Sequence, residues 1–253
     1  MSSVVADEGS LGVLVTRPAH QSLTLCDKIT AMGCRPTLFP VLAVRPINSP
    51  QPDWSGINRV IFISANAVTL ALEQINDSVV LPDILAIGRK TAGTLRLLGR
   101  EVTVCAPAPF NTEALLSLPR LQQVCNQCII IVRGVGGSPL LGDTLRLRGA
   151  VVDYWEVYQR YRPDVSVKPL LMQLRAGEIQ IILMTSVESL TNFYAMIGLE
   201  GQRLLAQTVL LAISQRVAEQ ARKLLFHKQI VVADEASEEG LIHAMSKLHN
   251  VMQ

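Results

Sequence analysis

Short runs of uninterrupted apolar residues recur along the chain, each followed by a stretch whose apolar positions fall at helical spacing. The first run, Leu11–Thr16 (LGVLVT), ends at Arg17-Pro18, and its continuity predicts a strand buried on both faces. Residues 21–32 follow, with Leu23, Leu25, Ile29 and Met32 at helical spacing and Gly33 placed to close the helix. Thr37–Val44 (TLFPVLAV) is the next predicted strand, and Pro40 assigns it to a sheet edge or a crossing segment. Then come Val60–Ile63 with a helix through Leu72, and Leu85–Ile87 with a helix ending at Leu98-Gly99. A strand over Glu101–Cys105 and a short helix opened by Asn111-Thr112-Glu113 complete this half.

The second half repeats the order. Cys128–Val132 (CIIIV) ends at Arg133-Gly134, a helix runs through Leu140–Arg148, Gly149 closes it, and Val151–Tyr158 is the next strand. Arg17 to Gly33 is 16 positions, as is Arg133 to Gly149, which points to an internal duplication offset by 116 residues. Ile179–Met184 with a helix through Met196, a strand and helix around Leu211–Ala218, a strand over Gln229–Ala233 and a short helix opened by Ser237-Glu238-Glu239 match the first half more loosely. Strands alternating with helices predict an α/β fold: two similar parallel-sheet, flavodoxin-like domains with a cleft between them where a ligand would sit.

Composition narrows the function. A net charge of +2 over 253 residues leaves no basic footprint for nucleic acid. No apolar run reaches the roughly 18 residues of a membrane span, and the start of the chain carries acidic residues and no basic n-region. A cytoplasmic protein with a short frayed tail is expected. Five cysteines without an export signal argue against a disulfide framework, and Cys125 and Cys128, a lone C-x-x-C, are read as buried thiols. No metal site is expected, because no histidine or carboxylate falls at ligand spacing. His243 and His249 lie on a predicted surface helix and His227 in a connecting turn.

In parallel sheets, ligands bind beyond the carboxyl ends of the strands. That directs attention to Arg17-Pro18, Ser64-Ala65-Asn66, Gly88–Thr91 (with Lys90), Arg133–Gly137 (with Gly134 and Gly136), Thr185-Ser186 and Ser214–Arg216 (with Gln215). Most precede a helix, whose unpaired N–H groups and partial positive charge suit carboxylates or phosphates. Any one Ser, Thr or Asn there reads as an N-cap. The set as a whole, repeated in both halves, favours a ligand with many negative groups. The glycines after Arg133 do not complete a dinucleotide motif: the third glycine would fall at Pro139, and no acidic ribose partner follows a second strand. Tyr154, Trp155, Tyr158 and Tyr161 cluster on one predicted strand and its exit; most read as packing, with Tyr158 a candidate hydroxyl donor to the cleft.

These segments resemble the uroporphyrinogen-III synthase family over nearly the whole chain. The resemblance rests on Val15-Thr16-Arg17-Pro18 with Gln21, Phe62–Val68, Ala86–Ala92, Glu113–Leu116, Arg133-Gly134 with Gly136-Gly137, Leu141–Leu145, Gly149-Ala150, Val157–Arg160 and Thr185-Ser186, in order and spacing. It implies a cofactor-free, monomeric enzyme that converts a linear hydroxymethylbilane with eight carboxylates into uroporphyrinogen III. Water is lost, and ring D is inverted through a spiro intermediate. It implies Tyr158 as the general acid. Val217 stands at the position that matches Thr91, where many relatives have threonine, so the resemblance implies a backbone rather than a side-chain contact at the Val217 turn, with Thr91 kept as a substrate-binding candidate. The resemblance also implies a crossed arrangement: residues 1–38 with 162–253 as one lobe, 44–156 as the other, and 39–43 with 157–161 as a two-stranded hinge. The rival readings are a non-enzymatic two-lobed anion-binding or regulatory module and, behind it, a nicotinamide- or flavin-dependent enzyme.

Overall fold

A computed structural model describes residues 10–76, 78–224 and 229–252; His227 and residues 1–9 lie outside the described residues. In chain order the elements begin β1 (Gly12–Val15), α1 (Leu23–Ala31), β2 (Arg35–Leu38), β3 (Ala43–Pro46), β4 (Arg59–Phe62), α2 (Ala65–Leu72), β5 (Asp83–Ala86) and α3 (Arg89–Leu97). Next are β6 (Val104–Cys105), α4 (Thr112–Leu116), α5 (Pro119–Gln122), β7 (Cys128–Gly134), α6 (Leu140–Leu147) and β8 (Val151–Tyr161). The last are α7 (Lys168–Arg175), β9 (Ile181–Met184), α8 (Val187–Leu204), β10 (Val209–Ala212), α9 (Gln215–Lys223), β11 (Gln229–Val232) and α10 (Glu238–Met252).

The chain divides into two compact units, Met1–Ala43 with Tyr161–Gln253, and Val44–Arg160. The first unit holds a five-stranded sheet in the order β11-β10-β9-β1-β2, with every neighbouring pair parallel. Its central strands β1, β9 and β10 are apolar on both faces because both are covered. Leu14 and Ile182 pack toward α7, α8 and α9, while Val13, Val15 and Ile181 pack toward α1 and α10. Burial on both sides explains the continuous apolar runs.

The second unit holds a six-stranded sheet in the order β3-β8-β7-β4-β5-β6, parallel from β8 to β6. Val60, Phe62, Ile130 and Val132 face α2 and α3; Ile61, Ile129 and Ile131 face α4, α5 and α6. Read from β11 and from β6, the two sheets place corresponding strands in the same order. The registers agree as well. Gly12↔Arg35 through Val15↔Leu38 becomes Cys128↔Val151 through Ile131↔Tyr154, each 116 positions on. Gly33 (φ 75°) and Gly149 (φ 85°) both end their helices in the left-handed conformation, the expected reason for glycine at that spacing.

Several elements differ from expectation. Thr37–Val44 is not one strand: β2 ends at Leu38 and β3 begins at Ala43, and Pro40, which has no N–H for a ladder, lies between them. β2 and β3 are sheet edges, as Pro40 indicated. The Glu101–Cys105 strand shortens to β6, two residues long. The C-terminal helix is not short: α10 runs 15 residues because Leu241, Ala244, Met245 and Leu248 give it an apolar stripe buried against α1 and the sheet. β8 continues unbroken through Tyr161, 11 residues in all.

Candidate active site

The six predicted loops all leave the carboxyl ends of parallel strands. Arg17, Thr185-Ser186 and Ser214 follow β1, β9 and β10 in the first unit; Ser64, Gly88 and Arg133–Gly137 belong to β4, β5 and β7 in the second. Their side chains divide the helix N-termini into two kinds. Ser64 and Ser186 are true N-caps: Ala67 N–H donates to Ser64 Oγ at 3.0 Å, and Ser189 N–H donates to Ser186 Oγ at 2.9 Å. Ser186 Oγ also lies 2.9 Å from Ser189 Oγ. Ala65 and Asn66 are half-buried in the first turn behind Ser64, and Thr185 is half-buried beside Ser186.

Gly88 and Ser214 stand at the N-cap positions of α3 and α9 without a side-chain cap bond, and neither helix has an acidic residue in its first turn. Exposed Arg89 and Lys90 flank the first of these N-termini, exposed Gln215 and Arg216 the second. Uncapped N–H groups, a positive helix end and adjoining cations favour a carboxylate at both places. Arg89 also stacks over Phe110, 4.8 Å from the ring centroid. A side chain at Gly88 would crowd Phe110 Cβ at 3.1 Å. Thr91 is buried in the second unit as Val217 is in the first, so both occupy packing positions rather than the helix mouth.

The two strand-end arginines are already partnered. Arg17 Nη1 meets Glu238 Oε2 at 2.9 Å, and Lys28 Nζ meets the other carboxylate oxygen at 2.8 Å. Burial alone would raise the Glu238 carboxyl, but the hydrogen bonds and charges of Lys28 and Arg17 prevail and hold it below the usual glutamate value. Arg133 is 6% exposed. Its guanidinium donates to the carbonyls of Gly134 at 3.2 Å and Gly137 at 2.5 Å, meets Glu156 Oε1 at 3.4 Å, and stacks 4.4 Å over Tyr154. Arg133, expected to meet an anion, therefore clasps its own loop, because that loop turns its carbonyls back onto the strand end. Gly136 has φ 74°, a turn requirement. A Cβ on Gly134 would collide with Cζ and Cε2 of Tyr158, so this glycine makes room for a tyrosine ring.

Tyr158 owes its direction to an irregularity in β8. Arg133 pairs with Glu156 but Gly134 pairs with Tyr158, which leaves Val157 as an extra residue in the strand. Strict alternation would place Tyr158 on the face of Tyr154 and Glu156. The bulge turns it onto the face of Trp155 and Val157 instead, among the residues that pack with α2. There the ring is buried and its hydroxyl lies 3.1 Å from Ser64 Oγ. Tyr158, the candidate hydroxyl donor of the sequence, is thus a buried ring whose hydroxyl is within hydrogen-bond distance of Ser64. Of the other aromatics, Trp155 packs edge-on against Trp54 with centroids 5.8 Å apart, Tyr154 lies between Arg133 and Arg146, and Tyr161 is partly exposed.

Glu238 and Arg89 were not singled out by sequence reasoning. Glu238 registers only as a helix opener, and the one signal for Arg89 is its place in the Gly88–Thr91 loop. The cysteines are all free, but Cys125 is exposed at the turn below Gly149, so it is not the buried thiol expected of it. Its loop lies outside the strand that begins at Cys128. His249 is not purely a surface group: its Nδ1 lies 3.4 Å from the sulfur of buried Cys34.

Parallel strands ending in helix N-termini and hydroxyl-bearing loops, used in the same order in two units, define a two-unit parallel-sheet α/β protein. The family model described as "Uroporphyrinogen-III synthase HemD" matches residues 24–243. The uroporphyrinogen-III synthase of Escherichia coli K12 is 31% identical over 93% of this chain and 100% of its own length. That of Salmonella typhimurium LT2 is 30% identical over the same shares. The chain belongs to the uroporphyrinogen-III synthase family. Solved structures agree on the fold. Uroporphyrinogen-III synthetase from Helicobacter pylori superposes with a TM-score of 0.63 at 16% identity, covering 94% of this chain and 99% of that one. A mutant of the Thermus thermophilus enzyme gives 0.59 at 17% identity, covering 96% of this chain and 100% of that one.

Proposed function

We propose that this chain closes linear hydroxymethylbilane to uroporphyrinogen III, with Tyr158 as the proton donor to the departing hydroxyl. The observation that supports this reading most is the β8 bulge, which brings the Tyr158 hydroxyl to Ser64 at the carboxyl ends of the strands. In the first step the terminal C–O bond breaks, and the oxygen keeps both electrons, takes the tyrosine proton and leaves as water. The adjoining pyrrole nitrogen spreads the positive charge left on carbon. The substituted carbon of ring D attacks, a spiro intermediate opens and rejoins inverted, and loss of a ring-carbon proton balances the one consumed. Catalysis then consists mainly of orientation and one proton transfer. The helix mouths at Gly88, with Arg89 and Lys90, and at Ser214, with Gln215 and Arg216, are the groups proposed to hold substrate carboxylates. No cofactor enters this scheme.

Among the described residues no helix is long and apolar enough to cross a membrane. We place the enzyme in the cytoplasm as a monomer. We also infer that the two units derive from one duplicated strand–helix pattern that exchanged its first strand–helix–strand piece, a reading supported by the shared register. The test of the catalytic role is Tyr158→Phe assayed on freshly made hydroxymethylbilane. Turnover is expected to fall about 10-fold or more while the melting temperature stays unchanged. Unchanged kinetics remove Tyr158 from the acid role, and a protein that binds polycarboxylates without accelerating ring closure is an anion-binding module instead.

A further inference from the structure

We infer that Ser64 is a positioning residue for the Tyr158 hydroxyl, acting through a hydrogen-bond chain that starts at the N-terminus of α2; this rests on the assignment of Tyr158 as proton donor. A serine oxygen has two lone pairs and one proton. Ala67 N–H occupies one lone pair at 3.0 Å, so the helix end has already polarised the hydroxyl. Its second partner is Tyr158 Oη at 3.1 Å. When Ser64 donates to the phenol oxygen, the phenol proton is turned away from Ser64 and toward an acceptor. A backbone N–H donating into Ser64 strengthens that donation, because hydrogen bonds in a chain polarise one another. Once the phenol proton has passed to the leaving oxygen, the phenolate accepts from Ser64, and the positive end of α2 lies at the far end of the chain.

Two further features fix the geometry. The extra residue at Val157 turns Tyr158 onto the α2 face, and Gly134 leaves the space its ring fills. The ring is therefore held from three sides: strand register, glycine seat and hydroxyl tether. Ser64 thus differs from Ser186, its counterpart in the first unit. Both cap a helix, but the Ser186 hydroxyl turns to Ser189 within its own turn, whereas that of Ser64 meets a tyrosine 94 positions away.

The test is steady-state kinetics on hydroxymethylbilane for Ser64→Ala, Ser64→Gly, Ser64→Thr, Tyr158→Phe and the Ser64→Ala/Tyr158→Phe double variant, with melting temperatures for each. Ser64→Ala is expected to lower kcat by roughly 5- to 50-fold, with KM changed less than about 2-fold. Ser64→Thr, which keeps the hydroxyl, should restore most of the rate. Ser64→Gly keeps most of the helix-capping stability, so it separates rate from folding if Ser64→Ala melts too low to assay. In the double variant the serine change should cost nothing further. Equal multiplicative losses in single and double variants, or a Ser64→Ala effect confined to KM, overturn the inference. Unchanged kinetics in Tyr158→Phe alone would instead remove the assignment on which it rests.

Discussion

Gly134 shows how much one missing side chain accomplishes. An added methyl would sit inside the van der Waals envelope of the Tyr158 ring, and a core already filled resists such additions by about 1–3 kcal/mol. Gly134→Ala is therefore expected to lower the melting temperature by several degrees and turnover by about 10-fold or more, read by thermal denaturation and the bilane assay. Retention of full activity would show that the ring position is not critical. Glu238 makes the corresponding statement about charge. Its carboxyl is held below the usual glutamate value, so it binds its proton less readily in the folded chain than in the unfolded one. The stability it contributes, about 1 kcal/mol for a partly exposed pair, is present above the ordinary glutamate pKa and is lost as pH falls through the lower folded value. Urea denaturation of Glu238→Gln should show a deficit against the parent at neutral pH that closes in strongly acidic buffer. A deficit independent of pH would contradict the ion-pair account.

At the scale of elements, the helix N-termini separate a serine that caps its helix from one that does not. Ser186→Ala removes a cap that α8 uses, and a loss of about 1 kcal/mol is expected. Ser214 makes no side-chain cap bond at α9, so Ser214→Ala should leave the melting temperature within about a degree of the parent while raising KM. Equal destabilisation by the two changes would erase the distinction. This difference was not legible in the sequence, where both read as a serine between a strand and a helix. The strands were legible: β1, β9, β10 and the Cys128–Val132 part of β7 are apolar without interruption because helices cover both sheet faces. The β8 bulge was hidden, since Val157-Tyr158 looks like ordinary alternation until β7 supplies the register. The direction of Arg133 was hidden for a related reason, as its carbonyl partners come from a turn whose path depends on Gly136.

For the whole molecule, the 16-position spacing from arginine to glycine predicted a repeated pattern, and the structure adds a repeated strand order and register. The repeat is not symmetric in its chemistry. Arg17 pairs with a glutamate from the first turn of α10, whereas Arg133 donates to carbonyls of its own loop and pairs with Glu156 on the neighbouring strand; Tyr158 and Gly134 have no counterpart pair in the first unit. An enzyme that inverts one of four similar rings needs such inequality. The most direct measurement is the isomer composition of porphyrinogen formed when purified protein meets freshly generated hydroxymethylbilane, resolved by chromatography after oxidation. The account predicts predominantly the type III isomer, formed faster than spontaneous closure. Type I isomer alone, at the spontaneous rate, would contradict it.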